Sequence, residues 1–432
     1  MAGRYLYTAA LRLATPVILG RLLWRSRRAP DYRRRWGERF GFVSPVEGGP
    51  IWVHAVSVGE TVAAAPLIRD LLARYPQTPI LLTNTTPTGS ERTRGLFGER
   101  VHHCYLPYDT PGALRRFLDR VRPRLGIVME TEIWPNLMYA VHARGIPVVL
   151  ANARLSARSA RGYAHVRSLA ADALARFTLI AAQTQTDADR FTALGAPADR
   201  VTVTGSIKFD QGIAQIMVEA GEALRREVGE ERPVWVAAST HEGEDEIVLA
   251  AHRRVLLEHP SALLIIVPRH PERFDTVARR IEAAGLSFVR RTGRDATAAT
   301  AQVYLADTMG ELQLFLVASD IAFVGGSLVA SGGHNLLEPA GLAKPVLTGP
   351  HMFNFAEIDR MLETAGGLRR VHGEEDVATA VSELFADPDA RARLGAAAEA
   401  VVAANRGAKE RLLAALDHLL DSSAGTVAGF GG

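Results

Sequence analysis

The chain has 432 residues, 47% of them apolar and 22% charged, with a formal net charge of +3. That length allows two or three domains with separate cores, and the composition excludes a wholly disordered chain and a uniformly polycationic surface. The single cysteine, Cys104, excludes an internal disulfide framework and a cysteine zinc site, and points to a reducing, cytosolic compartment.

At the amino terminus, Tyr5 to Trp24 supply about twenty mostly apolar residues, near the span of a bilayer core. Arg12, Pro16 and Arg21 interrupt them. An arginine block follows, Arg25, Arg27, Arg28, Arg33, Arg34, Arg35 and Arg39, interleaved with Tyr32 and Trp36. Positive flanks stay cytoplasmic and aromatic rings favour the headgroup layer, so residues 1–40 read as a membrane anchor, either spanning or interfacial. No small-residue cleavage site precedes the arginines, which argues against a removed signal peptide. A basic amphipathic helix packed on the protein is the plain alternative. The same arginines would attract nucleic-acid phosphates, but no base-stacking or groove-reading module accompanies them, and no nucleic-acid partner is expected.

From Ile51 onward, short apolar runs alternate with helical patterns. Strands are predicted at 51–56, 80–83, 125–129, 148–152 and 179–183, with helices such as 61–75 and 114–122 between them. HAVSVGE (54–60) leaves the first strand for a helix beginning near Thr61. Glu60 then stands at a helix amino terminus, where the dipole favours the ionised carboxylate that a general base needs. A simple capping role is the other reading. NTTPTGSERTR (84–94) reads as a polar loop offering Arg92 and Arg94 to a phosphorylated acceptor. His102 and His103, beside Cys104, look metal-like, but adjacent strand residues point to opposite faces, and no metal is expected there. METEIWPN (129–136) places Glu130 and Glu132 after another buried strand, pointing the same way if the strand continues. Lys208 falls in GSIKFDQG (205–212), the predicted link between domains. Each of these side chains, taken singly, fits solvent exposure equally well.

The second half repeats the plan, with strands predicted at 234–239, 263–268, 321–326 and 345–349. STHEGEDE (239–246) offers Ser239 and Thr240 to a ligand, while its acidic run opens a helix. IIVPRHPERF (265–274) delivers Pro268, Arg269 and His270 from a buried strand. Arg269 is a fork of donors for a phosphate or one half of a surface salt bridge. In LADTMGELQLFLVASD (305–320), Asp307 and Thr308 read as helix-start residues and Met309, Gly310 and Glu311 as the first turn, a nucleotide contact or a plain capped helix. After Gly332 and Gly333 a helix is predicted from near Asn335, with Glu338 one turn on. That pair reads as a ribose contact beside a phosphate-binding helix start or as a capping box. Strands alternating with helices give an α/β chain of two doubly wound, Rossmann-like domains, 41–211 and 212–421, with the loops at their strand ends sharing a cleft. Residues 422–432 read as a disordered tail. There is no GxxxxGK[ST] and no GxGxxG after the first strand, which counts against ATPases and ordinary dehydrogenases.

Taken in order, WGERFG (36–41), HAVSVGE, TNTTPTGSER (83–92), METEIWPN, NARLS (152–156), TGSIKFD (204–210) and GGHNLLEPA (332–340) resemble the successive blocks of the bacterial 3-deoxy-D-manno-octulosonic acid (Kdo) transferases. The resemblance runs to about residue 410. It implies the two-domain GT-B fold and an inverting transfer of Kdo from CMP-β-Kdo to the 6′-hydroxyl of lipid IVA in lipopolysaccharide biosynthesis, on the cytoplasmic face of the inner membrane. It further implies Glu60 as catalytic base and Glu130 and Lys208 as transition-state stabilisers. Pro268 and Arg269, Met309 to Glu311, and Asn335, Leu336, Leu337 and Glu338 match its CMP-binding blocks. CMP-Kdo is then a substrate, lipid IVA and membrane lipids are partners, and no metal or other cofactor is required. Another GT-B enzyme (a UDP-sugar transferase or epimerase) and a non-catalytic nucleotide-sugar-binding membrane protein remain as alternatives.

Overall fold

A computed structural model describes residues 2–27, 29–210, 212–293 and 299–427; Arg28 of the arginine block and residues 428–432 of the expected tail lie outside the described residues. The chain divides into two units, residues 1–210 with 406–432, and residues 211–405.

The first unit is built on seven parallel strands: β1 (Ile51–His54), β2 (Ile80–Asn84), β3 (His102–Tyr105), β4 (Leu125–Met129), β5 (Val148–Ala153), β6 (Leu179–Ala182) and β7 (Val201–Val203). Their order is β3-β2-β1-β4-β5-β6-β7. Parallel strands need crossovers, and the intervening helices cover both sheet faces. Alternation along β1 sorts the core accordingly. Trp52 packs with Leu81, Phe117 and Val128 on one face, and Ile51 and Val53 pack with Ile68, Leu82 and Ile127 on the other.

That second face is completed from the far end of the sequence. In the helix Ala408–Val427, Ala408, Leu412, Leu413, Leu416 and Leu420 form one helical stripe buried against this core. Asp210 accepts from the backbone N–H groups of Gly407 and Lys409 at 2.6 Å each, and Lys409 pairs with Asp70 at 2.7 Å. Residues 406–421, expected in the second domain, therefore belong to the first unit, and the helix extends to Val427, into the expected tail.

The helix Ala2–Arg25 also joins the first unit. Near its start, Thr8 Oγ1 donates to Asn136 Oδ1 at 3.0 Å and the Arg4 guanidinium lies 3.6 Å from the Tyr139 ring centre. Near its end, Leu22 is buried and Ser26 Oγ accepts from Arg33 at 2.9 Å. The arginine block is not uniformly outward. Arg39 is buried and donates to the Thr85 carbonyl, and Arg35 pairs with Glu38 at 2.7 Å and meets His103. Residues 87–97, expected as a loop, form a helix, with Thr86 Oγ1 accepting from Gly89 N–H at its start; Arg92 and Arg94 are exposed on it.

The second unit has β8 (Val234–Thr240), β9 (Leu263–Pro268), β10 (Phe288–Arg290), β11 (Val303–Leu305), β12 (Ile321–Val324), β13 (Val346–Thr348) and β14 (Leu368–Arg370). They form a parallel sheet in the order β10-β11-β9-β8-β12-β13-β14. Trp235, Ile266 and Phe323 pack on one face and Val236, Ile265 and Phe315 on the other. Each sheet reverses its strand order once, between β1 and β4 and between β8 and β12. Such reversals open crevices at strand carboxyl ends, where ligands of doubly wound folds bind.

Candidate active site

In the first unit the reversal gathers the carboxylates. The helix after β1 begins at Val58, three residues earlier than expected, so Glu60 lies inside its first turn. Ser57 caps it, its hydroxyl accepting from Glu60 N–H, while Glu60 Oε2 accepts from Val56 N–H at 2.8 Å and Oε1 from the Ser57 hydroxyl at 3.2 Å. The capping geometry is thus present, and it fixes the carboxylate in one orientation. The helix dipole does not keep that group ionised. Burial pushes its pKa up to about 7; the bonds from Val56 and Ser57 oppose the rise, and the charges of Glu130 and Glu132 add to it.

Strand β4 ends at Met129 rather than running through Glu132. Glu130 takes φ +59, a left-handed backbone that turns the chain, and its Oε1 lies 3.5 Å from Lys208 Nζ. Glu132 turns elsewhere and accepts from Trp134 Nε1 at 2.7 Å, its pKa raised by burial. Lys208 sits in a short 3-10 turn, Ile207–Asp210, held because Ile207 N–H donates to Asn152 Oδ1 at the end of β5. Glu60, Glu130, Glu132 and Lys208 therefore belong to one cluster: three acidic side chains in mutual electrostatic contact, with the one ammonium paired to Glu130.

In the second unit the expected donor residues stand at the ends of β9, β11 and β12. Pro268 closes β9 and is buried. Arg269 is exposed and makes no ion pair among the described residues, so the salt-bridge reading fails for it, although the Glu338 carboxyl feels its charge. Met309, Gly310 and Glu311 precede their helix, which starts only at Leu312; Gly310 has φ +86 and Met309 is 55% exposed. Asp307 does not cap that helix but accepts from Thr292 and Arg290, and Glu311 forms a two-toothed pair with Arg291 at 2.9 and 3.2 Å. The next helix begins at Leu337, not near Asn335, and covers only Leu337–Ala340. Asn335 Oδ1 accepts from Leu337 N–H at 3.2 Å, and Leu336 and Leu337 are buried. Glu338 accepts from Gln313 at 3.2 Å, with a pKa raised by burial against the influence of Gln313, Asn335 and Arg269. No capping box forms, and Asn335, Glu338, Gln313 and Arg269 make one polar group.

Two features carried a weak sequence signal. Glu244, read as part of a helix-opening acidic run, is fully buried, and its carboxylate accepts N–H bonds from His241, Gly326, Ser327 and Leu328 at 2.6–2.9 Å. It ties the loop after β8 to the loop after β12. Gly325 makes the approach possible, since a Cβ there would lie 2.7 Å from the Ser239 carbonyl oxygen. His334 meets His241 across the same junction. Only the GGH (332–334) and HEGE (241–244) runs could have hinted at either. His103 is engaged by Arg35 and Asn84 rather than facing an open site.

Comparison with known proteins places this geometry. Residues 34–211 match the family described as 3-Deoxy-D-manno-octulosonic-acid transferase (kdotransferase). A 3-deoxy-D-manno-octulosonic acid transferase of Haemophilus influenzae is 45% identical over 422 residues, 97% of this chain and 99% of the relative. The Bordetella pertussis protein of the same name is 40% identical over 97% of this chain and 100% of its own. In fold, the UDP-GlcNAc 2-epimerase from Neisseria meningitidis superposes with a TM-score of 0.57 at 15% identity, covering 85% of this chain and 99% of that one. The two-unit parallel architecture is the GT-B fold. With near-complete mutual coverage at 45% identity, the chain belongs to the 3-deoxy-D-manno-octulosonic acid transferase family.

Proposed function

We propose that this Kdo transferase moves Kdo from CMP-β-Kdo to the 6′-hydroxyl of lipid IVA with inversion. The acceptor oxygen forms the new bond to the anomeric carbon, and its proton passes to Glu60. The bond from that carbon to the CMP phosphate oxygen breaks, leaving its electron pair on the phosphate. The observation that carries this reading is Glu60 itself: partly buried among carboxylates, fixed by Val56 and Ser57, and held near pKa 7. A base of that pKa is substantially ionised at neutral pH and strong enough to take a proton as the hydroxyl attacks. Glu130 and Lys208 are assigned to stabilising the charge that develops in the transition state. Pro268, Arg269, Met309, Gly310, Glu311, Asn335, Leu336, Leu337 and Glu338 are assigned to CMP. Arg269, held in no ion pair among the described residues, has its charge available to the leaving phosphate. No metal or cofactor is given a step.

The acceptor is a lipid, and the helix Ala2–Arg25 is long and apolar enough to cross a membrane. We assign it instead to the cytoplasmic interface of the inner membrane. A spanning helix would carry its start to the far side, yet Thr8 bonds to Asn136 and Ser26 to Arg33 in one unit. Along the helix Leu6, Leu13, Val17, Leu23 and Trp24 are exposed, an apolar surface for acyl chains beside the exposed Arg12, Arg25 and Arg27.

The test is purified full-length protein with CMP-Kdo and lipid IVA, products resolved by mass and the new anomer assigned by NMR. Addition of α-linked Kdo at the 6′ position is expected. Turnover with a UDP-sugar and none with CMP-Kdo would replace the proposal by the second GT-B reading.

A further inference from the structure

Three imidazoles gather where the loops after β8, β9 and β12 meet. His241 and His334 approach Nε2 to Nε2 at 2.8 Å, with ring planes 14° apart and centroids 5.0 Å apart. With so short an N–N distance, that centroid separation means rings joined end to end, not stacked face to face. The contact is an N–H···N hydrogen bond, so one Nε2 carries hydrogen and the other offers a lone pair. Ser331 Oγ lies 3.3 Å from His241 Nδ1, and the His270 ring stands edge-on to His241 at 5.6 Å and 89°. Gly326, at φ +67, lets the backbone lie on the pair; a Cβ there would sit 3.2 Å from His334 Nε2 and 3.4 Å from His241 Cδ2.

The charges facing the pair are unbalanced. Glu244 is the nearest acid, but four backbone N–H groups already cover its carboxylate. Arg273 is tied to Asp245 and the Thr240 carbonyl. Arg269 makes no ion pair among the described residues, though Glu338 feels its charge, and it faces His334 together with His270. Burial first, then Arg269, His241 and His270, hold His334 down to about 4. His241 is lowered by burial, with His270, Arg273 and Arg269 outweighing Glu244. The pair is neutral in the free protein at pH 7.

We propose that the His241–His334 pair is a proton-taking part of the donor site, binding the nucleotide phosphate and gaining one proton as it does so. This rests on reading the second unit as the CMP-Kdo site. A phosphate beside Arg269 supplies the negative charge that the cluster lacks, and an opposite charge nearby favours the imidazolium. The proton comes from solvent, and no substrate bond changes. Only one proton fits, because a second would set N–H against N–H across 2.8 Å. The pair titrates higher with ligand than without, so binding is favoured below the ligand-bound value and weakens as pH rises through it.

Full-length protein is titrated calorimetrically with CMP at pH 7, in buffers of low and high ionisation enthalpy. CMP then arrives mostly ionised, since the second phosphate pKa is about 6. Uptake of about 0.5–1 proton per CMP is expected for the unaltered protein. His334→Gln and His241→Gln should each abolish the uptake and weaken CMP roughly 10- to 100-fold, the range for a lost charge-assisted bond. CMP binding without uptake overturns the pair's role and leaves the donor-site reading standing; so does uptake that persists in both variants. Failure of CMP to bind the unaltered protein overturns the donor-site reading, and this proposal with it. Should a variant not fold, histidine ring nitrogen shifts of the unaltered protein decide. An imidazolium appearing in the pair with CMP supports the proposal, and two neutral rings overturn it.

Discussion

Glu60→Gln is expected to act in opposite directions on turnover and on stability. The amide oxygen can still accept from Val56 N–H, which Glu60 Oε2 does at 2.8 Å, but it cannot take the acceptor's proton. Loss of a general base lowers turnover by about 10²–10⁴-fold. Stability should rise, because the carboxyl is displaced from its ordinary 4.5 to about 7, chiefly by burial. A carboxyl raised in this way binds more protons folded than unfolded. Its presence therefore costs stability as pH climbs from about 4.5 to 7, and the cost stays in full above that. Solvent screening of this partly exposed carboxyl leaves the displacement worth about 2–3 kcal/mol. A unit of this size shifts its Tm by about 2–4 °C per kcal/mol. The variant should thus melt roughly 4–12 °C higher at pH 8, with the gain fading towards pH 4. For the unaltered enzyme, kcat/KM should climb with pH, half-maximal near 7 and level about one to two units above it. CMP release on detergent-dispersed lipid IVA and thermal melts across pH measure both effects. Turnover within tenfold of the unaltered enzyme would refute the base assignment. A variant no more stable at pH 8 would refute the burial argument.

Glu338→Ala should weaken CMP binding by about 1–3 kcal/mol, the cost of leaving partly buried donors unpaired; unchanged affinity by calorimetry in a folded variant would return Glu338 to a local structural role with Gln313. Glu244→Ala strips four N–H groups, two of them fully buried, of their acceptor and should destabilise the second unit by about 3 kcal/mol or more; denaturant unfolding that leaves its midpoint unmoved would show that the β8 and β12 loops hold without it. Cysteines introduced by Gly3→Cys and Arg27→Cys should both react with an impermeant maleimide in inside-out membrane vesicles and neither in right-side-out ones, with little background from buried Cys104; labelling of residue 3 from the outer side would make the helix a spanning one.

Central strands were legible because burial on both faces writes them as apolar runs: IWVH, LGIVM and LLIIVP are buried at every position. The strands left unread are β3, β7, β10, β11 and β14. Four of these are sheet edges, and HHCY, VTV, FVR and LRR are short, with partly exposed or polar positions. The division at 210 was legible in the GSIKFDQG stretch (205–212) that separates the two runs of alternating strands and helices, whereas the return of the last helix was not. Its stripe from Ala408 to Leu420 would look the same against either core, and only Asp210 receiving Gly407 and Lys409 decides which one it meets. Helix starts differed by two or three residues: the helices begin at Val58 rather than Thr61, at Leu312 rather than Met309 and at Leu337 rather than Asn335.

At the candidate site, residue identity was legible and charge state was not. Sequence placed Glu60 at a helix start, and the dipole argument alone would keep it ionised. That dipole contributes about 0.3–1 kcal/mol at an exposed position, less than the cost of partly burying a carboxylate beside Glu130 and Glu132. The neighbours that reverse the outcome lie 70 and 72 residues away in sequence, after a strand that stops one residue short of Glu130. The turn at Glu130 aims it at Lys208 and leaves Glu132 to Trp134, so the ammonium offsets one carboxylate and not the others. A fully paired cluster would give a base too weak to accept a proton, and an unpaired one would hold Glu60 protonated at neutral pH. Lys208→Met should therefore push the pH at which activity reaches half its plateau upward, as well as lowering the plateau. An unshifted pH profile would mean that the lysine acts on the substrate alone and not on the base.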